Sequence, residues 1–192
     1  PTRRSSDLDG RYVAFESQAS NLVANDSNNT SDVFVRDMQT GITTLVSVNS
    51  AGTGSANGTS HSPTISANGK VVVFQSFSSN LSSIDTNDKI DVFARDIQTG
   101  TTHLVSCNVG CTASGNNASF LPNVPKDKAP RANISNDGRV VVFESHATDL
   151  VTIPMAPNGF TEAFARDLQT GTTTLLSVNM QGTMSVGGAV PV

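Results

Sequence analysis

Three nearly identical runs constrain this chain more than anything else in it: Asp9-Gly10-Arg11-Tyr12-Val13-Ala14-Phe15-Glu16-Ser17, Asn68-Gly69-Lys70-Val71-Val72-Val73-Phe74-Gln75-Ser76 and Asp137-Gly138-Arg139-Val140-Val141-Val142-Phe143-Glu144-Ser145. The first two copies align without a gap at an offset of 59 residues, from Asp9 to Asn68. The later landmarks Phe34 and Phe93, Asp37 and Asp96, Gly41 and Gly100 keep that offset. A period longer than that of helical solenoids, carried by β-branched and aromatic residues and punctuated by Asp-Gly and Thr-Gly turns, predicts small sheets that stack on one another.

Each copy opens with an Asp/Asn-Gly turn, where Gly supplies the positive φ that a tight hairpin needs. The strand after it, Tyr12-Val13-Ala14-Phe15 and its counterparts, is apolar on both period-two faces and is expected to be covered on both sides. A polar stretch holding Asn21-Leu22, Asn80-Leu81 or Asp149-Leu150 leads to a second strand, Asp32-Val33-Phe34-Val35-Arg36-Asp37, matched at 91–96 and 162–167. Asp37-Met38-Gln39-Thr40-Gly41 and its two copies read as a short hairpin loop, with Gly in the left-handed position and Asp capping the turn. A half-polar strand follows, Thr43 to Val48, with copies ending at Cys107 and Val178. A short strand ahead of the next turn, Pro63-Thr64-Ile65-Ser66 or Arg131-Ala132-Asn133-Ile134-Ser135, completes four strands per unit.

A four-stranded antiparallel sheet that is apolar on both faces must stack on copies of itself around an axis, which is a β-propeller. The expected fold is all-β: a propeller fragment of about three four-stranded antiparallel blades, the first incomplete. The pattern Ser-x-Asp-Gly-Arg-x-Val-x-Phe, followed by Asp-x-Phe-x-x-Asp-x-x-Thr-Gly, resembles the WD-like propeller repeat of the TolB type over most of residues 9 to 179. That resemblance implies architecture more firmly than activity. It also implies that the chain is part of a ring, since such rings carry more blades than three.

The units divide as residues 9–49, a first blade lacking its first strand; 50–108, a second blade; 109–179, a linker and third blade; and 180–192, a truncated connection to a further blade. Residues 1–8, Pro1-Thr2-Arg3-Arg4-Ser5-Ser6-Asp7-Leu8, depart from the repeat where Ile65-Ser66-Ala67 predicts Ile-Ser-Ala ahead of Asp9. They resemble the in-frame translation of a widely used sequencing-adapter oligonucleotide, and are set aside from the fold as a non-native segment. A native basic arm is the alternative.

A net charge of −4 and a pI near 5.2 give no electrostatic footprint for nucleic acid or anionic lipid. No apolar run is long enough to span a bilayer, so no membrane insertion is expected of this segment. Few Lys and Glu among abundant Ser, Thr, Asn and Gly point to an extracellular, cell-surface or periplasmic setting in a bacterium. Cys107 and Cys111, the only cysteines, flank Asn108-Val109-Gly110, and in such a setting a local disulfide is the preferred reading over two thiols or a weak metal pair.

The best site signal is a seven-residue acidic loop, Asp26-Ser27-Asn28-Asn29-Thr30-Ser31-Asp32, repeated as Asp85-Thr86-Asn87-Asp88-Lys89-Ile90-Asp91. Oxygen side chains at its first, third and seventh positions (Asp26, Asn28, Asp32; Asp85, Asn87, Asp91) are of the kind that bind calcium. The loop lacks the central Gly and terminal Glu of an EF-hand, and the third repeat replaces it with Pro154-Met155-Ala156-Pro157-Asn158 and then Glu162. The plainer reading, preferred on sequence, is a loop of Asx turns with Asp32 and Asp91 capping strand starts.

Arg36-Asp37, Arg95-Asp96 and Arg166-Asp167 recur in every copy and are read as structural, the arginines pairing with acidic groups between blades. His61, His103 and His146 fall at different points of the repeat, and no Gly-x-Ser-x-Gly elbow is present. Glu16 and Glu144 are equivalent, but Gln75 fills the same place in the second copy, which argues against a catalytic carboxylate pair. With no Trp and one Tyr, the chain lacks platforms for sugars. The sequence thus reads as a non-catalytic propeller segment serving as a platform for a protein partner, with no catalytic residues and no cofactor beyond calcium. The alternative is the propeller domain of a larger hydrolase or peptidase whose catalytic domain lies outside this chain.

Overall fold

A computed structural model describes residues 4–122, 133–155 and 159–186. They build twelve strands in three sheets. The first sheet holds β1 (Arg4–Ser6), β2 (Tyr12–Ser17), β3 (Asp32–Asp37) and β4 (Thr43–Leu45). The second holds β5 (Ser60–Ile65), β6 (Val71–Ser76), β7 (Asp91–Asp96) and β8 (Thr102–Leu104). The third holds β9 (Ser119–Phe120), β10 (Val140–Ser145), β11 (Glu162–Asp167) and β12 (Thr172–Leu175). Each is an antiparallel meander in chain order. The chain is a partial β-propeller of three blades, and among the described residues no helix is long and apolar enough to cross a membrane.

The repeated sequence explains the repeated geometry. In every blade the second and third strands pair in a register that sets two phenylalanines opposite each other: Phe15 and Phe34, Phe74 and Phe93, Phe143 and Phe164. Their rings stack at 5.7, 5.9 and 5.5 Å, adding a cross-strand contact to the apolar burial. The hairpin loop closes each time with a left-handed glycine, Gly41, Gly100 or Gly171, and with the preceding Asp accepting the two following N–H groups, Gln39 and Thr40 at 2.8 and 3.4 Å in the first blade.

Blades meet face to face through two apolar seams. Ala14, Val33, Val35 and Val46 of the first blade pack with Val72, Phe74, Leu81 and Phe93 of the second. Val71, Val73, Val92 and Ala94 on the other face of the second blade pack with Val141, Phe143, Leu150 and Phe164 of the third. The middle blade is therefore covered on both sides. The linkers fasten the same seams: Ser50 N–H donates to Asn80 O at 2.7 Å and Val109 N–H to Asp149 O at 2.9 Å, while Asn80 Oδ1 and Asp149 Oδ1 each accept a linker N–H at 2.9 Å. Asn80-Leu81 and Asp149-Leu150 thus bind the incoming linker through the polar residue and fill the seam through the leucine.

Three expectations need correction. The first blade is not missing its edge strand: Arg4–Ser6 pairs with β2, Ser5 opposite Ala14 and Ser6 opposite Val13. Edge pairing draws on backbone N–H and C=O groups and needs little side-chain code. Asp7 also takes over the closing role of Ser66 and Ser135, accepting the Tyr12 N–H at 2.9 Å as those serines accept the N–H of Val71 and Val140.

The first strand of the third blade begins at Ser119–Phe120, and from the predicted 131–135 strand only Ile134 forms a bridge, to Val141; residues 131–132 lie outside the described residues. The cause is the 69-residue offset from Asn68 to Asp137, ten more than between the first copies. The extra residues fall where β5 already carries a bulge between His61 and Thr64, with Ser62 at φ +58°. Finally, β4 stops at Leu45 rather than Val48, because the Ser47 hydroxyl takes the Val33 N–H and both Val46 and Ser47 N–H turn to Val33 O.

Candidate functional site at the blade seam

The two acidic loops lie against the linker that enters the next blade. In the first, Ser27 N–H donates to Ser55 Oγ at 3.1 Å, Asn28 Nδ2 donates to Ala56 O at 2.7 Å, and Ser55 N–H returns to Asn25 O at 3.0 Å. The second repeats this with Thr86 and Ser114 at 3.0 Å and with Asn87 and Gly115 O at 2.8 Å. Asn28 and Asn87 also form Asx turns, accepting the N–H of Thr30 and Lys89. The loops are thus fixed on three sides before any ligand is considered.

Asp32 and Asp91 do not cap their strands directly. Each is fully buried and accepts a hydroxyl, Ser47 Oγ to Asp32 Oδ1 and Ser106 Oγ to Asp91 Oδ1, both at 2.5 Å, and the serine in turn accepts the first strand N–H. Glu162 takes the same place in the third blade, held by Ser177. Burial pushes the Asp32 carboxyl up to about 6 against the Ser47 hydrogen bond, with the charge of Asp26 adding to the rise. Burial pushes Asp91 up to about 7, and Asp85 is raised by the same cause. Asp26, itself 8% exposed, leaves Oδ1 without a partner, as do Thr30 at Oγ1, Asp32 at Oδ2 and Asp91 at Oδ2. Among the described residues no three His, Cys, Asp or Glu side chains converge as a metal cluster.

A second feature spans both seams and went unread in the sequence. Glu16 Oε2 accepts the Ser62 N–H of the next blade at 2.8 Å, and Gln75 Oε1 accepts the Leu121 N–H of the blade after it at 2.8 Å. Equivalent positions therefore tie the first blade to the bulged β5 of the second, and the second blade to the residue that follows β9 of the third. Glu144, third in the series, is raised by burial. These residues, with His61 and Phe120, surround an open depression of about 530 Å³. His61 faces Gln75 Nε2 at 3.1 Å, and His146 packs edge-on to Phe120 at 5.9 Å.

The repeated arginines are corrected: among the described residues, Arg36, Arg95 and Arg166 do not pair with acidic groups of a neighbouring blade but donate to Thr43, Thr102 and Thr173 on the adjacent strand of their own blade, at 2.9, 2.7 and 2.7 Å. The acid of the pair is held instead by the turn arginine, Arg11 on Asp37 at 2.9 Å and Arg139 on Asp167 at 2.6 Å. Cys107 and Cys111 are joined as a disulfide around a turn with Gly110 at φ +84°, the Cys107 side fully buried in the first seam.

No protein-family model and no curated protein matches the chain. Solved structures similar to it include TolB from Acinetobacter baumannii, at 16% identity and a TM-score of 0.49, covering 93% of this chain and 33% of that one. The putative TolB from Agrobacterium tumefaciens is similar at 14% and 0.49, covering 92% and 49%. The β-propeller domain of the Trilobed protease from Pyrococcus furiosus is similar at 12% and 0.46, covering 90% and 40%. The chain spans about a third to a half of the length of these structures. The fold itself rests on the sheets and seams described above.

Proposed function

We propose that the chain is a non-catalytic propeller segment of a secreted, surface or periplasmic bacterial protein, presenting a rigid rim to a protein partner. The observation that carries this reading is the pair of cross-seam ties, Glu16 to Ser62 and Gln75 to Leu121. They fix the walls of the depression lined by His61, Phe120, Leu121 and Glu144, so a partner meets a surface whose ordering cost is already met. Ser47, Ser106 and Ser177 are held on Asp32, Asp91 and Glu162 at strand starts. The Cys107–Cys111 bond supports an oxidising compartment.

The test is photo-crosslinking in the native cell envelope from a probe placed at Phe120, compared with one placed at exposed Met38 in the hairpin loop after β3. A discrete adduct from Phe120 alone supports the platform. Equal labelling at both positions, or a catalytic domain encoded in the same reading frame whose turnover is abolished by Phe120→Ala, overturns it in favour of a domain that serves an enzyme.

A further inference from the structure

We propose that the loop from Asp26 to Asp32 binds a hard divalent cation of the calcium class at the seam between the first and second blades, through Asp26, Thr30 and Asp32. Three oxygens in this seven-residue loop are buried without a hydrogen-bond partner: Asp26 Oδ1, Thr30 Oγ1 and Asp32 Oδ2. Asp26 and Asp32 are 8% and 0% exposed. Native structures leave few such atoms, and each one needs a physical reason. Two of these belong to carboxyl groups, the charge of Asp26 opposes that of Asp32, and neither forms an ion pair with a described Lys or Arg. A buried carboxylate without a counter-charge is among the most unfavourable arrangements a fold can hold.

The chemistry of the donors selects the ligand. All three are oxygens, with no imidazole or thiolate among them, which favours calcium over zinc or copper. Asn28 is not required as a ligand: its amide donates to Ala56 O and also acts to lower the pKa of the Asp32 carboxyl, while its carbonyl oxygen accepts the Thr30 N–H. Those same bonds clamp the loop to the linker of the second blade, so a cation held here would fasten the seam as well as the loop.

The other two blades serve as internal controls. In the second, Lys89 stands where Thr30 does, and only Asp91 Oδ2 is left without a partner. In the third, Met155 replaces the first carboxylate and Glu162 is held by Ser177. The proposal is therefore confined to the first loop. Two carboxylates and a hydroxyl, completed by water, make a low-charge site, for which a Kd on the order of 10⁻⁴–10⁻³ M is expected, the range of extracellular calcium modules.

The experiment is calorimetric titration of the 192-residue chain with calcium chloride, paired with thermal melts in chelator and in about 10 mM calcium or magnesium. One calcium per chain, and a midpoint rise of a few degrees with calcium but less with magnesium, are expected. Asp26→Asn relieves the repulsion between the carboxylates, so its midpoint in chelator should equal or exceed that of the wild type while its calcium-dependent rise disappears. Thr30→Val keeps both charges and should weaken binding several-fold, and Asp85→Asn should leave it unchanged. No calcium heat in the wild type, as for a loop filled by water or a proton, overturns the proposal, as does a calcium response that survives in Asp26→Asn.

Discussion

The middle blade and its two neighbours carry nearly the same strand, yet they bury it differently. In β6 all of Val71, Val72, Val73 and Phe74 are buried. In β2 only Ala14 is buried while Val13 and Phe15 are half-exposed, and in β10 Val141 and Phe143 are buried while Val140 and Val142 are not. The leucine that fills each seam shows the same contrast: Leu81 and Leu150 are 1% and 2% exposed, whereas Leu22 in the first blade is 38% exposed. Burial in this fold is thus conferred by the neighbouring blade and its linker, not by the strand that carries the apolar residues. Phe34 is the instructive exception. It is fully buried by Phe15, Val23, Leu45 and Val48 of its own blade, which shows how much one sheet covers unaided.

The sharpest way to break this contrast is a matched pair of truncations at equivalent positions. Phe74→Ala empties a seam packed from both blades and should destabilise the chain by about 3–5 kcal/mol in urea unfolding. Phe15→Ala removes a ring that is already partly solvated and should cost less than half of that. Leu81→Ala against Leu22→Ala repeats the comparison at the linker corner, about 2–5 kcal/mol against less than about 1 kcal/mol. Equal losses within either pair would mean that blades are stabilised singly and that seams contribute little.

The architecture was legible because each blade repeats its turns and its apolar strand in register, and one such sheet cannot cover both of its faces. What escaped was encoded in backbone or in pairings distant along the chain. The edge strand Arg4–Ser6 pairs through main-chain groups, so its unusual side chains concealed it. The role of Asp32 could not be read locally because its partner, Ser47, lies fifteen residues on and also receives the Val33 N–H.

Glu16 and Gln75 show a different lesson. Their difference in charge argues against a catalytic pair, but what they share, an oxygen at the same reach, is the property the seam uses. The arginines, read from sequence as pairing with acids of a neighbouring blade, bond within their own sheet, because strand pairing sets Thr43 opposite Arg36.

A smaller effect comes from the buried acid at the start of β7 in the middle blade. The Asp91 carboxyl, raised by burial to about 7, faces Asp85, Asn87 and Ser106. Its folded form holds a proton more tightly than the unfolded chain does, so between about pH 4 and 7 the folded state binds more protons and stability falls as pH rises. Asp37 and Asp167 are held low by their arginines and act in the opposite sense only at more acid pH, so they leave this window clear. In chelator, the midpoint of the wild type should therefore be higher at pH 5 than at pH 8. Asp91→Asn should raise the midpoint at pH 8 and change it little at pH 5, flattening the profile. A parallel downward shift at both values would show instead that Asp91 contributes through its charge.

The smallest expected effect concerns the one turn where the middle blade is the poorer. Arg11 and Arg139 grip Asp37 and Asp167 through two guanidinium nitrogens, while Lys70 occupies that place in the second blade opposite Asp96. A guanidinium fork matches a carboxylate in a way an ammonium does not. The pair is solvent-exposed, so its gain is screened and partly offset by side-chain ordering. Lys70→Arg should raise the thermal midpoint slightly at low salt and lose that gain in high salt. Because the acid in such a pair is held below its ordinary pKa, about 2 for Asp37, the gain should be complete above pH 4 and vanish as pH falls toward 2. A gain that persists in high salt would mean that the longer side chain stabilises by packing over Val71 and Gly138 at the second seam, where Lys70 shares a depression with them, and that the seam rather than the charge sets the difference between blades here as well.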